Sequence, residues 1–370
     1  MKLNSIILSL VTALLASLAV SCHSTDDWDN DPYGNFDALW SLVDRHYCYF
    51  EEKGVDWDAI GREYRARITP DMTKEELFDL MGAMLNNLRD GHTNLSSAFN
   101  VSYYRQWWSD YPQNYDDRLV KQYYLNFDWN QAAGLSYAIL PDSIGYIRYP
   151  SFASGIGDAN INYALYYMRD CPALIIDIRN NGGGDLTNAE RLASHFVKER
   201  QLGGYIYHKS GPGHNDFSQP YPYYIETVPR GSVIWLRPVV VLTNRSTFSA
   251  ANNFTAMMKS LPMVWIAGAT TGGGSAMPLT QDLPNGWRLR MSASPILTAQ
   301  GETTEHGIPP SEGCAVDLDP ELALQGIDTM IDFAVDFLIS KVDSIINSKH
   351  PDSPPEEQAA AGALTILPLR

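Results

Sequence analysis

Residues 238–251 read PVVVLTNRSTFSAA, and the fold turns on how they are read. Val239-Val240-Val241-Leu242 after Pro238 is a short unbroken apolar run rich in β-branched residues, the pattern of a strand buried on both faces. Thr243-Asn244-Arg245-Ser246 turns the chain, and from Ala250 to Lys259 the composition is helical. Ser249 stands at this strand-to-helix corner among backbone N–H groups that a helix leaves unpaired. It therefore offers an exposed hydroxyl next to a potential oxyanion donor, which is what acyl transfer needs. The competing use is structural: Ser246, Thr247 or Ser249 can simply cap the helix.

Upstream, residues 173–178 (ALIIDI) form another unbroken apolar run suited to a central parallel strand. Arg179-Asn180-Asn181-Gly182-Gly183-Gly184-Asp185 follows, then a helical pattern over 186–197. Three glycines between strand and helix let backbone N–H groups face a ligand; a flexible turn is the plainer reading. No GxxxxGK[ST] is present, which discounts a phosphate loop. Residues 143–152 (SIGYIRYPSF) alternate as a strand, and 159–168 are helical. Downstream, 263–267 read as a buried strand and 268–275 as a glycine-rich turn. Pro284-Asn285-Gly286 joins 277–283 to 287–291 as a hairpin. Residues 302–310 (ETTEHGIPP) are a loop, and Ile327, Met330, Ile331, Ala334, Phe337 and Leu338 mark a closing helix. The expected class is α/β (α+β), with a buried, mostly parallel sheet in a core spanning 136–346.

The N-terminal part differs. Asn35 is read as the cap of a helix whose stripe is Phe36, Leu39, Trp40, Val43, Tyr47 and Phe50, and Asp56 as the start of another. Thr73-Lys74-Glu75-Glu76 is a capping box opening a third helix, striped by Leu77, Leu80, Met81, Met84, Leu85 and Leu88, with Gly91 as its stop. Residues 34–95 thus form a small helical subdomain. His92 falls in a turn just past a helix end, placed either to aim into a cleft or merely to sit near a favourable dipole. Residues 96–135 are a variable, aromatic-rich insert (Tyr103, Tyr104, Trp107, Trp108, Tyr111, Tyr115), either a substrate-facing loop or a small β insert.

A chain of 370 residues suffices for one large catalytic domain and something smaller. Its net charge of −16 excludes a nucleic-acid partner, since phosphate binding needs a basic face. Residues 1–22 read as a signal peptide ending in a lipobox, Ala19-Val20-Ser21-Cys22, with Cys22 as the lipidation site. Residues 23–33 are an acidic tether, and 347–370 a Pro- and Ala-rich tail expected to be disordered. Cys48, Cys171 and Cys314 allow at most one pair, so no disulfide scaffold is expected. Without CxxC, HExxH or an EF-hand pattern, neither a metal nor a cofactor is expected.

Four separated motifs, LRDGHT (88–93), DIRNNGGG (177–184), TNRSTFSAAN (243–252) and EHGIPP (305–310), resemble in order those of the tail-specific and tricorn-core serine peptidases. The resemblance covers residues 34–340 and is closest to lipoprotein members from Bacteroidetes. It implies a ClpP/crotonase-like core and peptide hydrolysis through an acyl-enzyme. The tail-specific branch uses a Ser–Lys dyad, but Gly274 stands where the lysine would be, and no lysine occurs between Lys259 and Lys341. The interval from His92 to Gly145 is also too short for that branch's PDZ module. The tricorn-like arrangement fits instead. It implies Ser249 as nucleophile, His92 as base and Glu305 on the imidazole, with Asp90 adding a supporting contact. The N–H groups of Gly183 and Ala250 would bind the oxyanion. Glu302 rivals Glu305, and His306 and His214 rival His92. The implied substrate is a peptide or protein, the implied location the bacterial cell envelope: outer membrane, anchored by the lipid alone, with surface exposure suggested by the acidic run. Two other readings stand beside the enzyme. One is an inactive peptide-binding lipoprotein of the same fold. The other is a surface glycan binder, suggested by 21 Tyr and nine Trp and especially Trp107 and Trp108.

Overall fold

Residues 28–349 are described by the computed structural model. The expected signal peptide with Cys22, the tether as far as Asp27 and the tail beyond Lys349 lie outside the described residues. Three helices come first: α1 (Pro32–His46), α2 (Trp57–Arg65) and α3 (Lys74–Asn86). The cap of α1 is Asp31, which accepts from Gly34 N–H at 2.7 Å, rather than Asn35. Pro32 explains the earlier start, since its fixed φ and missing N–H suit a first helical position. The capping box of α3 forms in both directions, Glu76 N to Thr73 Oγ1 at 3.2 Å and Thr73 N to Glu76 Oε2 at 2.8 Å. That helix ends before Gly91, however, and Arg89 takes the left-handed conformation (φ 49°) that the glycine was expected to supply.

A hairpin follows, β1 (Asn94–Ser96) with β2 (Val101–Tyr103), then β3 (Asn130–Ala132), β4 (Leu135–Ile139) and β5 (Gly145–Arg148). The rest runs α4 (Asp158–Tyr167), β6 (Leu174–Asp177), α5 (Leu186–Ala193), β7 (Gln201–Ile206), β8 (Tyr221–Ile225), β9 (Val239–Thr243) and α6 (Ala250–Lys259). It closes with β10 (Val264–Gly268), β11 (Ala276–Asp282), β12 (Arg288–Thr298) and α7 (Thr329–Lys349).

One sheet has the order β10-β9-β6-β5-β4-β3. Its four strands from β10 to β5 are parallel, and β4 and β3 add an antiparallel edge. Alternate residues feed opposite cores. Ile176, Val241 and Ile266 pack with Phe254 and Leu192 on the side of α5 and α6. Ile175, Val240 and Ala267 pack with Met330, Ile331 and Ala334 on the side of α7. Apolar side chains are therefore favoured on both faces, which is why these strands read as nearly unbroken apolar runs, the buried charges Arg148 and Asp177 falling at the ends of β5 and β6. It is also why β5 is buried throughout, its one charged residue, Arg148, lying 3.9 Å from Asp177 of β6.

The second six-stranded sheet, β2-β1-β12-β7-β8 with β11 against β12, is antiparallel, and only its β11–β12 hairpin was legible in the sequence. Helices α1–α3 do not enclose a core of their own. Phe36, Leu39, Val43, Leu77, Met81 and Met84 close over Trp287, Leu289 and Met291 of the hairpin. Strand β12 pairs with β1 and β11 in its first half and with β7 in its second. It thereby fixes the loop before β1, which carries His92, against the turn carrying Ser249. Cys48, Cys171 and Cys314 are free thiols.

Candidate active site

Helix α6 begins at Ala250, and Ser249 before it has φ 58° and ψ −123°. A non-glycine residue in such a region costs on the order of 1–3 kcal/mol and persists only where its surroundings hold it. Here they do: Ser249 N donates to Gly273 O at 2.9 Å, Phe248 N to Asn181 O at 3.0 Å, and Gly272 N to Thr247 O at 2.7 Å. The capping reading of Ser249 fails, because its side chain makes no cap hydrogen bond. Thr247 is the structural member of the group, its hydroxyl donating to Ile178 O at 3.0 Å and accepting from Asn244 N at 3.1 Å. Ser249 Oγ is turned the other way and lies 2.9 Å from His92 Nε2.

His92 is 2% exposed. Its backbone N donates to Asp90 Oδ1 at 2.8 Å, which aims the ring, and Phe248 lies beside it with ring centroids 4.8 Å apart. Burial brings the imidazole down to about 4; Asp90 opposes that shift, while Arg290 and Lys53 add to it. The ring is thus neutral at neutral pH and can accept a proton.

The third contact implied by the tricorn-like arrangement is not formed. His92 Nδ1 has no hydrogen-bond partner among the described residues. Glu305 is buried but engaged elsewhere: Oε1 lies 2.7 Å from Lys53 Nζ, and Oε2 accepts from Ser275 N at 3.0 Å. Burial and the nearby Asp90 charge push the Glu305 carboxyl up to about 7 against the pull of Lys53. The rivals are occupied or remote. Glu302 is exposed, His306 faces Glu52 at 3.2 Å, and His214 faces Asp44 at 2.7 Å.

The oxyanion expectation is corrected in part. Gly183 N donates to Asn181 Oδ1 at 2.9 Å and so is already spent. What Gly183 supplies is close approach, since a Cβ there would lie 2.7 Å from Ser249 Cβ. Ala250 N–H has no partner among the described residues, as befits the first N–H of a helix.

Gly274, the position of the absent lysine, has φ +73°, and any Cβ on it would collide with the Phe248 ring. Phe248 in turn stacks on Trp107, with centroids 4.1 Å apart and planes 24° apart. An aromatic pair therefore fills the space a dyad lysine would cross. Gly91 is small for the same reason, since a Cβ would press on both rings. A cavity of about 290 Å³ opens beside Ser249, walled by Tyr103, Trp107, Trp108 and Phe248, with Gly182 and Gly184 on one side. The insert at 96–135 thus contributes its tryptophans to this cavity. Arg290 of β12 also lines it; its guanidinium donates to His92 O at 3.4 Å and salt-bridges no carboxylate among the described residues. Neither Arg290 nor Lys53 was legible as a site residue. Each reaches the site through the antiparallel sheet or the helices packed on it, and no local pattern announces such a meeting.

The sequence matches a model of peptidase family S41 over residues 143–312 and one of the tricorn protease C1 domain over residues 29–86. A crystal structure of a protein from Parabacteroides merdae ATCC 43184, assigned as a peptidase, is 44% identical. It superposes with a TM-score of 0.80 over 85% of this chain and 99% of that one. A chloroplastic C-terminal processing peptidase of Tetradesmus obliquus is 27% identical over 193 residues. That stretch is 52% of this chain and only 38% of the algal protein. A lipoprotein from Streptococcus agalactiae, 18% identical with a TM-score of 0.50 over 82% of this chain and 96% of its own, shares the fold.

Proposed function

This chain belongs to peptidase family S41, and from that premise we propose that it is a serine endopeptidase that hydrolyses peptide bonds through an acyl-enzyme on Ser249. The observation that carries the reading is the 2.9 Å contact between Ser249 Oγ and a neutral, buried His92. His92 takes the hydroxyl proton as Oγ bonds to the scissile carbonyl carbon, then gives it to the leaving amine as the C–N bond breaks. Water, deprotonated by the same imidazole, hydrolyses the ester and frees Ser249. Ala250 N–H, at the positive end of α6, donates to the oxyanion. In this Ser-His-Glu scheme Glu305 acts with Asp90 as negative charge behind the imidazole rather than through a direct hydrogen bond. We place the protein in the cell envelope, lipid-anchored at Cys22 in the outer membrane; the support for this is the pattern of residues 1–22. Treatment with a fluorophosphonate followed by peptide mapping is the test. One adduct on Ser249 is expected. A wild-type protein that never labels, where a related peptidase does, leaves the inactive peptide binder as the better reading.

Arg290 brings the cavity's fixed cation, so peptides bearing a carboxylate next to the scissile bond are the favoured substrates. A charge-assisted hydrogen bond is worth about 1.5–3 kcal/mol. Glutamate peptides should therefore exceed their glutamine counterparts in kcat/KM by on the order of tenfold. Arg290→Gln should erase the difference. Equal rates on both peptides in the wild type would overturn it.

A further inference from the structure

Behind His92, on the side away from Ser249, three distant pieces of chain bring charges into one closed compartment. Lys53 comes from the turn after α1, where its N donates to Tyr49 O at 3.0 Å and its carbonyl accepts from the Arg89 guanidinium. Its side chain is only 5% exposed, and Nζ lies 2.7 Å from Glu305 Oε1 and 3.5 Å from Asp90 Oδ2. Asp90 is fully enclosed, its other oxygen taken by His92 N, and Glu305 is anchored by Ser275 N. A buried ammonium is costly unless paired, and two buried carboxylates this close repel unless a cation stands between them.

The other titratable groups facing the compartment do not replace that cation. Burial raises Tyr47, Cys48 and Tyr49 well above their ordinary values, so all three are neutral there. Arg290, on β12, touches the carbonyl of His92 but ion-pairs with neither carboxylate. Burial also works to raise Asp90, yet the Lys53 charge and the His92 backbone N–H help hold it below the usual carboxylate range. With Lys53 charged and both acids ionised, the compartment carries one net negative charge; with Glu305 protonated it carries none.

We propose that Lys53 is a positioning residue of the hydrolytic site: its ammonium holds Asp90 and Glu305 together as ionised carboxylates, and their surplus negative charge stabilises the imidazolium that forms on His92. This rests on the serine-hydrolase reading of Ser249 and His92. Lys53 touches neither substrate nor the reacting atoms. It works through Glu305, whose ionisation sets the acid limb of reactivity. Loss of the ammonium removes the main pull toward the ionised form and moves that limb upward in pH.

The experiment uses the full chain and reads the rate constant of fluorophosphonate labelling between pH 5 and 9 for wild type, Lys53→Met and Lys53→Arg, with thermal melts alongside. In the wild type the rate should rise through about pH 7 as Glu305 ionises. Lys53→Met should move that limb up by about one pH unit or more, at least about a fivefold loss at pH 7 that recovers toward pH 9. Lys53→Arg should restore the limb. If Lys53→Met does not fold, Glu305→Gln decides: loss of the inflection near pH 7 supports the assignment. A limb unmoved in Lys53→Met, with a pH-independent drop alone, overturns it, as does an inflection unchanged in Glu305→Gln. A wild type that labels at no pH overturns the hydrolase reading and this one with it; a labelled wild type with an unmoved limb overturns this one alone.

Discussion

Replacing Ser249 with alanine should lower peptide hydrolysis by about 10⁴–10⁶-fold and eliminate the fluorophosphonate adduct. The fold should survive. The hydroxyl makes no cap hydrogen bond, and its one hydrogen bond among the described residues is to His92. The backbone bonds that hold φ at 58°, to Gly273 O from Ser249 N and to Asn181 O from Phe248 N, do not involve the side chain. A surface-like stability change, within about 0.5 kcal/mol, is therefore expected, readable by denaturant unfolding beside the activity assay. His92→Ala should cost a similar factor in rate. The double variant should be no worse than either single one, because a nucleophile and its base act as a unit. If Ser249→Ala kept even a tenth of the wild-type rate, the nucleophile would have to be sought elsewhere.

What could be foreseen, and what could not, follows from the range of the interactions. Strand β9 and helix α6 lie within two residues of where the apolar run and the helical composition put them, because burial on both faces of a parallel sheet leaves its imprint residue by residue. Gly274 marked the missing lysine, but only the structure shows Phe248 and Trp107 filling that space. The antiparallel sheet was mostly hidden. Strands β1 and β2 are three residues each, and β7 and β8 are linked by a long polar excursion, so neither pair shows a period. Lys53 and Arg290 were hidden with it. Glu305 was nameable from EHGIPP, yet its partners Lys53 and Ser275 lie on other segments, and these decide how far it ionises. The Gly183 N–H was misjudged for a local reason: the asparagine two residues earlier folds its side chain back onto it.

The same motif hides a second function, and Arg179→Met exposes it. The DIRNNGGG run was read for its glycines, but Asp177 and Arg179 are fully enclosed. Arg179 Nη2 lies 2.6 Å from Asp177 Oδ2, and Nη1 lies 2.9 Å from Asp328 Oδ2. Tyr146 OH donates to Asp177 at 2.8 Å, and Asp328 accepts from Met330 N and Ile331 N at 3.1 Å, which starts α7. One guanidinium thus ties the end of β6 to the helix covering the sheet. Methionine there keeps much of the volume but strands two buried carboxylates, with Arg148, 3.9 Å from Asp177, as the one remaining ion-pair partner among the described residues. Breaking one side of a buried ion network costs about 3–5 kcal/mol. For a domain of this size that lowers the melting temperature by on the order of 10 °C. The pH sense is fixed by the charges left behind. Without the guanidinium, burial raises both carboxyl groups above their unfolded values, so protonation relieves the variant as pH falls, and its deficit should be smaller at pH 5 than at pH 8. Adding Asp328→Asn should recover part of the loss, because it removes one of the stranded charges. A deficit under about 1 kcal/mol, or one that grows toward pH 5, would mean that the sheet and α7 are held by packing alone.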